Sequence, residues 1–174
     1  MSESERELRN RIAELERALE QARREAGVDE LTGALNRRGW ERLLASEEER
    51  CARHGLDAVI VTLDLDELKA TNDAAGHAAG DRLISACADA LRSTVRAEDA
   101  VARTGGDEFA VLAVQTTEGR DVAVQARIAD ALKSASVKAT LGSARRVESR
   151  TLRQAWQRAD QRMIAAKAAK GRGR

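Results

Sequence analysis

Apolar residues at Leu8, Ile12, Leu15, Leu19, Ala22 and Ala26 recur at alternating intervals of four and three, the a/d seam of an amphipathic helix. Between them lie charged positions, with six Arg and seven Glu before Gly27. The pattern predicts one helix over residues 2–26. It falls short of the roughly three to four heptads that secure a coiled coil alone. It therefore suits either packing on its own domain or a short dimerising stalk. Gly27 and Asp29 interrupt it, and a second helix spans residues 37–53. The unbroken apolar run over residues 58–63 reads as a buried strand ending at Asp64. A short helix over 67–72, a loop broken by Gly76 and Gly80, and a longer helix over 81–96 follow. The last carries Leu83, Ile84, Cys87, Leu91 and Val95 on one face. Residues 99–103 and 109–114 read as paired strands, then come a helix near 121–134, a strand over 137–141 and a final helix over 152–169. Strands interleaved with helices, one pair antiparallel, predict an α/β sandwich on a mixed sheet.

The link between the paired strands is Thr104-Gly105-Gly106-Asp107-Glu108. Gly-Gly between two apolar runs predicts a hairpin closed by a type I′ turn, whose two central residues need positive φ. Glycine also lets a ligand approach the backbone without meeting a Cβ. A second acidic cluster, Asp64-Leu65-Asp66, ends the buried strand. Two carboxylate clusters at strand ends beside a bare glycine turn suit Mg²⁺ and a nucleoside triphosphate.

Composition narrows this reading. A chain of 174 residues predicts one domain with an appendage, divided at residues 1–28 and 29–174. Lys and Arg total 30 against 29 Asp and Glu, a net charge of +1, which argues against nucleic acid as a bulk ligand despite a basic tail over 167–174. With Trp40, Trp156 and Phe109 the only aromatics, aromatic stacking is not a main binding device. Cys51, Cys87, His54 and His77 lack metal-ligand spacing, which leaves reduced thiols and isolated imidazoles. No apolar run reaches membrane-span length and the N-terminus is charged, so the expectation is a cytoplasmic protein without a membrane partner.

Gly105-Gly106-Asp107-Glu108-Phe109 is the GGDEF signature, and the chain resembles the GGDEF-domain diguanylate cyclase family from about residue 29 to 172. The resemblance implies a palm-like, ferredoxin-related fold shared with nucleotidyl cyclases. It implies condensation of two GTP into cyclic di-GMP (c-di-GMP) with release of two pyrophosphates, across a homodimer because one domain holds one GTP. It places Mg²⁺, with Mn²⁺ a possible substitute, on Asp64, the Leu65 carbonyl and Asp107. Glu108 would serve a second metal or activate the 3′-hydroxyl. Asp64-Leu-Asp-Glu-Leu-Lys-Ala-Thr-Asn72 is similar to the family's DxDxFKxxND segment, which makes Asn72 a guanine contact and turns Lys69 toward the phosphates. Asp81 matches a second guanine contact, although by position alone it reads equally as a helix N-cap. Gly105 and Gly106 line the substrate's approach, and Lys167 binds phosphate. The family's following Arg falls on Gly171 here, with Arg172 one residue beyond.

Arg96-Ala-Glu-Asp99 sits where the family has an RxxD product-inhibition site, and Arg103 could join it. Its plain alternative is an i,i+3 ion pair. A regulatory protein partner is also open, since residues 1–28 hold no sensory domain. The rival readings are a non-catalytic module that binds GTP or c-di-GMP, and an interaction protein acting through its helix.

Overall fold

The computed structural model describes residues 3–114 and 120–172. Ser2 and the side chains of Ala26 and Arg172, which the sequence reading touched, lie outside the described residues. The elements run α1 (Glu3–Ala26), α2 (Arg37–His54), β1 (Ala58–Leu65), α3 (Leu68–Ala75), α4 (His77–Arg92), β2 (Ala100–Arg103), β3 (Glu108–Val114), α5 (Arg120–Ser134), β4 (Ala139–Arg145), α6 (Arg146–Ser149) and α7 (Leu152–Arg172). The four strands lie in the order β2-β3-β1-β4. Every ladder between them is antiparallel. The parallel component is a single bridge, Leu35 to Ala102, where the segment after α1 runs along β2.

Because β1 is central and buried throughout, its two faces read as one apolar run. Side chains alternate across it. Val59, Val61, Leu63 and Leu65 pack with Ile84 and Leu91 of α4 and Ile128 and Leu132 of α5. Ala58 and Ile60 join Trp40 and Leu44 of α2 and Leu152, Ala155 and Ala159 of α7 on the other face. Even-numbered positions of β1 therefore look toward α7. Small residues let that helix lie close on the sheet: a Cβ at Gly142 would collide with the backbone of Ala159 and Met163.

Three expectations change. First, neither Gly105 nor Gly106 has positive φ, so the hairpin is not closed by a type I′ turn. Instead Thr104 and Gly105 N–H both donate to the Glu108 carbonyl, at 2.9 and 3.3 Å, across a longer turn. Second, α4 begins at His77, so Asp81 lies inside the helix rather than capping it. The joint with α3 is Gly76, at φ 77°, a conformation glycine adopts without Cβ strain. Third, β4 continues to Arg145 and the short α6 follows, where the sequence suggested neither.

Candidate active site

Asp64 on β1 pairs directly with Glu108 on β3 and with Thr140 on β4. Cross-strand partners share a face, so Asp64 and Glu108 both look toward α7. The Leu65 amide donates to the Asp107 carbonyl at 2.9 Å, which docks the hairpin tip against the end of β1. Asp64, the Leu65 backbone, Asp107 and Glu108 thus meet at one strand end. A Cβ on Gly105 would stand 2.5 Å from a Glu108 carboxylate oxygen, so the first glycine keeps room for that acid. Gly106, with open space around it, leaves the tip bare.

The electrostatics of this corner are unbalanced. Burial pushes the Glu108 carboxyl above its ordinary value, and Asp160, Asp107 and Asp64 push it further against a weaker pull from Arg37. Lys167 rests its ammonium on Asp64. That contact lifts the lysine above its usual range, against burial and with help from Asp107 and Asp66. The lysine acts as the resident counter-ion of the cluster. Hard carboxylate oxygens crowded at their own expense fit a divalent cation such as Mg²⁺ or Mn²⁺. Among the described residues no ready-made cage of three such side chains exists.

The α3–α4 crossing sets Asn72 against Gly80, the residue before Asp81. Gly80 has no side chain there, and a Cβ would fall on the Asn72 amide oxygen and 3.2 Å from Leu68. The Asn72 Oδ1 is buried without a hydrogen-bond partner, a state that costs about 1–3 kcal/mol if left unmade. Asp81 and Lys69 are exposed beside it, Lys69 one turn before Asn72 on α3.

Arg96, Asp99 and Arg103 do not form one cluster of free side chains. Asp99 accepts from the Arg96 amide at 3.0 Å and the Val114 amide at 3.0 Å, so the i,i+3 side-chain ion pair is absent. The Arg96 side chain is exposed. Arg103 is engaged elsewhere: it donates to the Gly106 carbonyl at 2.7 Å and pairs with Asp29 at 3.3 Å. Asp29 also accepts from Thr32, so this arginine ties the hairpin tip to the segment that follows α1.

Sequence reasoning missed three members of the site. Asp160 stands beside Glu108, and Asp66 anchors Lys170 at 3.0 Å with Thr140 at 2.8 Å. The signal was in the helical spacing. Asp160, Lys167 and Lys170 lie seven and three residues apart along α7, which puts them on one face.

The family model described as "Diguanylate cyclase, GGDEF domain" matches residues 26–173. Probable diguanylate cyclase DgcC of Escherichia coli (strain K12) is 39% identical over 106 residues, 61% of this chain but 29% of that protein. The chain therefore spans under a third of that relative's length. Among solved structures, diguanylate cyclase SiaD in complex with its activator SiaC from Pseudomonas aeruginosa has a TM-score of 0.76 at 34% identity. The alignment covers 96% of this chain and 68% of that one. The coiled coil and GGDEF domain of DgcB from Caulobacter crescentus, in complex with c-di-GMP, gives 0.77 at 25% identity over 97% and 96% of the two chains. With its signature turn docked on a carboxylate-bearing strand end and the match running nearly its full length, the chain belongs to the GGDEF-domain diguanylate cyclase family.

Proposed function

We propose that the chain condenses two GTP into c-di-GMP with loss of two pyrophosphates, acting as a homodimer with a divalent metal, Mg²⁺ or Mn²⁺. The observation that carries this reading is the Asp64–Glu108 cross-strand pair with Asp107 docked beside it. A bound metal would offset charge on the triphosphate and polarise its α-phosphorus, with Asp64, the Leu65 carbonyl and Asp107 as its protein ligands. Asn72 and Asp81 hold the guanine edge, the carboxylate accepting the two adjacent donors that adenine lacks. Lys69 and Lys167 take phosphate oxygens. Glu108, raised in pKa, is suited to accept the 3′-hydroxyl proton as that oxygen attacks the α-phosphorus of the opposing GTP. The P–O bond to the β-phosphoryl group breaks, and pyrophosphate leaves with the bonding pair. A second such step on the other strand closes the ring.

Dimerisation is supported by α1. Leu8, Ile12, Leu15 and Leu19 are 47–62% exposed along one seam. Such a stripe is covered when a second copy of the helix packs on it. No described helix is long and apolar enough to cross a membrane. Incubation with GTP and Mg²⁺, followed by mass spectrometry of the products, tests the reading with Asp107→Ala as control. Formation of c-di-GMP by the parent alone supports it, and equal formation by both overturns it.

A further inference from the structure

A cavity of about 340 Å³ lies behind the hairpin, bounded by the first turns of α2, by β1 and by the first three turns of α7. Its inner wall is apolar, built from Leu63, Phe109, Met163 and the ring of Trp156. Two of the chain's three aromatic side chains thus line one small space. Three polar groups break that wall. Two are the carboxylates of Glu108 and Asp160, which have no hydrogen-bond or ion-pair partner among the described residues. Of the like charges bearing on Glu108, that of Asp160 is the strongest. The third is independent of the acids. Thr62, on the face of β1 that looks toward α7, is only 4% exposed, and its hydroxyl has no hydrogen-bond partner. Buried hydroxyls are ordinarily paired, so a lone one on a cavity wall marks a place for a ligand atom.

The cations at the rim leave these acids unneutralised. Arg37 is engaged by Glu41 at 3.6 Å and by the Trp156 ring, whose centroid lies 5.8 Å from its guanidinium carbon. Arg153 is exposed to water. A small anion would meet two unpaired carboxylates here. A bare metal ion would leave most of the space empty and touch a wall made largely of hydrocarbon. A flat organic cation satisfies every part of the lining. Its N–H fork meets a carboxylate edge to edge, and its body lies against aromatic and thioether surface. Trp156 already accepts the Arg37 guanidinium in this way.

The geometry points to a binding site for a small organic cation of the amidinium or guanidinium class, held by Asp160 and Glu108 with the Thr62 hydroxyl accepting a further N–H. Glu108 and Asp160 also line the adjoining cavity of about 380 Å³, where Asp64 and Lys167 stand. A cation behind the hairpin therefore engages the same Glu108 carboxylate that the reaction cleft uses, and it slows turnover. The binding site stands without the cyclase reading, whereas its effect on turnover rests on that reading.

The test is calorimetric titration of the full chain in Mg²⁺ with benzamidine, and with benzamide and benzoate as its neutral and anionic counterparts. Benzamidine binds at least about tenfold more tightly than either, the worth of one charge-assisted hydrogen bond. Asp160→Asn weakens benzamidine about tenfold, and Thr62→Val about threefold. Thr62→Val keeps the branched shape and removes only an unpaired hydroxyl, so it retains the fold. In turnover, benzamidine slows c-di-GMP formation, and Thr62→Val needs about three times as much of it for the same slowing. Equal affinity for benzamidine and benzamide overturns the cation site. Tighter binding of benzoate overturns it too, by assigning the cavity to Arg37 and Arg153. So does a failure of benzamidine to bind, or binding that neither variant weakens. In a parent that makes c-di-GMP, binding that leaves turnover unchanged overturns the link through Glu108. Binding that follows both variants in a chain that makes no c-di-GMP overturns the cyclase reading and keeps the cation site.

Discussion

At the start of β1, Asp57 accepts from Arg145 Nε at 2.8 Å and from the Val147 amide at 3.1 Å, while Glu48 accepts from Arg146 and from the Leu152 amide at 2.7 Å. At the other end of the same strand, the Asp107 and Glu108 carboxylates have no hydrogen-bond or salt-bridge partner among the described residues. Burial acts on both regions, but its consequence differs. It pushes Glu48 upward, yet the Arg146 and Leu152 hydrogen bonds outweigh it and leave that carboxyl below its ordinary value. For Glu108, burial and the like charges of Asp160, Asp107 and Asp64 outweigh the pull of Arg37, so it ends above its ordinary value. One end of the strand spends its acids on holding α6 and α7 to the sheet. The other pairs Asp64 and Asp66 with lysines of α7 but leaves the Asp107 and Glu108 carboxylates unsatisfied, which suits a metal and an incoming nucleophile.

The sharpest break of this comparison is Asp64→Ala. Removing the strand-end carboxylate lowers c-di-GMP formation by at least about 10²-fold, the scale of losing one transition-state electrostatic partner. The thermal midpoint shifts little, because loss of the Lys167 contact is offset by relief of the like charge on Glu108. A large fall in the midpoint would move Asp64 into the structural class. Asp57→Ala is the mirror experiment. It leaves Arg145 half of a largely buried pair and costs about 3 kcal/mol in urea denaturation. Activity per folded molecule stays at the parental level.

How much of this was legible depends on how each element announces itself. The strand β1 was plain, because a strand buried on both faces cannot hide its apolar run. The GGDEF turn was plain as chemistry but not as geometry. Two glycines suggested a two-residue turn, whereas the first is needed for clearance from Glu108. The start of α4 was masked because its cap is the backbone at Gly76, not an Asp side chain. The end of β4 was masked by Gly142-Ser143, which reads as loop but serves the close approach of α7. Asp66 was visible in the acidic cluster and Lys170 in the spacing of α7, but their pairing across 104 positions leaves no local pattern.

Glu108→Gln sharpens the comparison through pH. The folded carboxyl is raised above its unfolded value, so the folded state holds the proton more tightly. That contribution to stability is fully present below the unfolded pKa and is lost as pH rises through the folded pKa. At neutral pH the ionised group is a net cost. Glu108→Gln therefore raises the thermal midpoint at neutral pH, and the gain fades near pH ~4. A gain that persists unchanged in acid would point to packing rather than charge.

The smallest effects separate Arg96 from Asp99. Asp99 accepts from two backbone amides and donates its own amide to the Arg96 carbonyl at 3.1 Å, so it staples the entry of β2 to the end of β3. Asp99→Ala accordingly costs about 1 kcal/mol. Arg96→Ala stays within about 0.5 kcal/mol, because an exposed side chain has little folded-state environment to lose. If the two form a product-binding pair, both substitutions relieve inhibition by c-di-GMP, but only Asp99→Ala lowers the denaturation midpoint. The guanidinium would then resemble Asp107 and Glu108, a charge kept without a partner for a ligand to find. Unchanged inhibition in Arg96→Ala would leave Asp99 with Asp57 and Glu48, among the acids whose work is finished once the chain has folded.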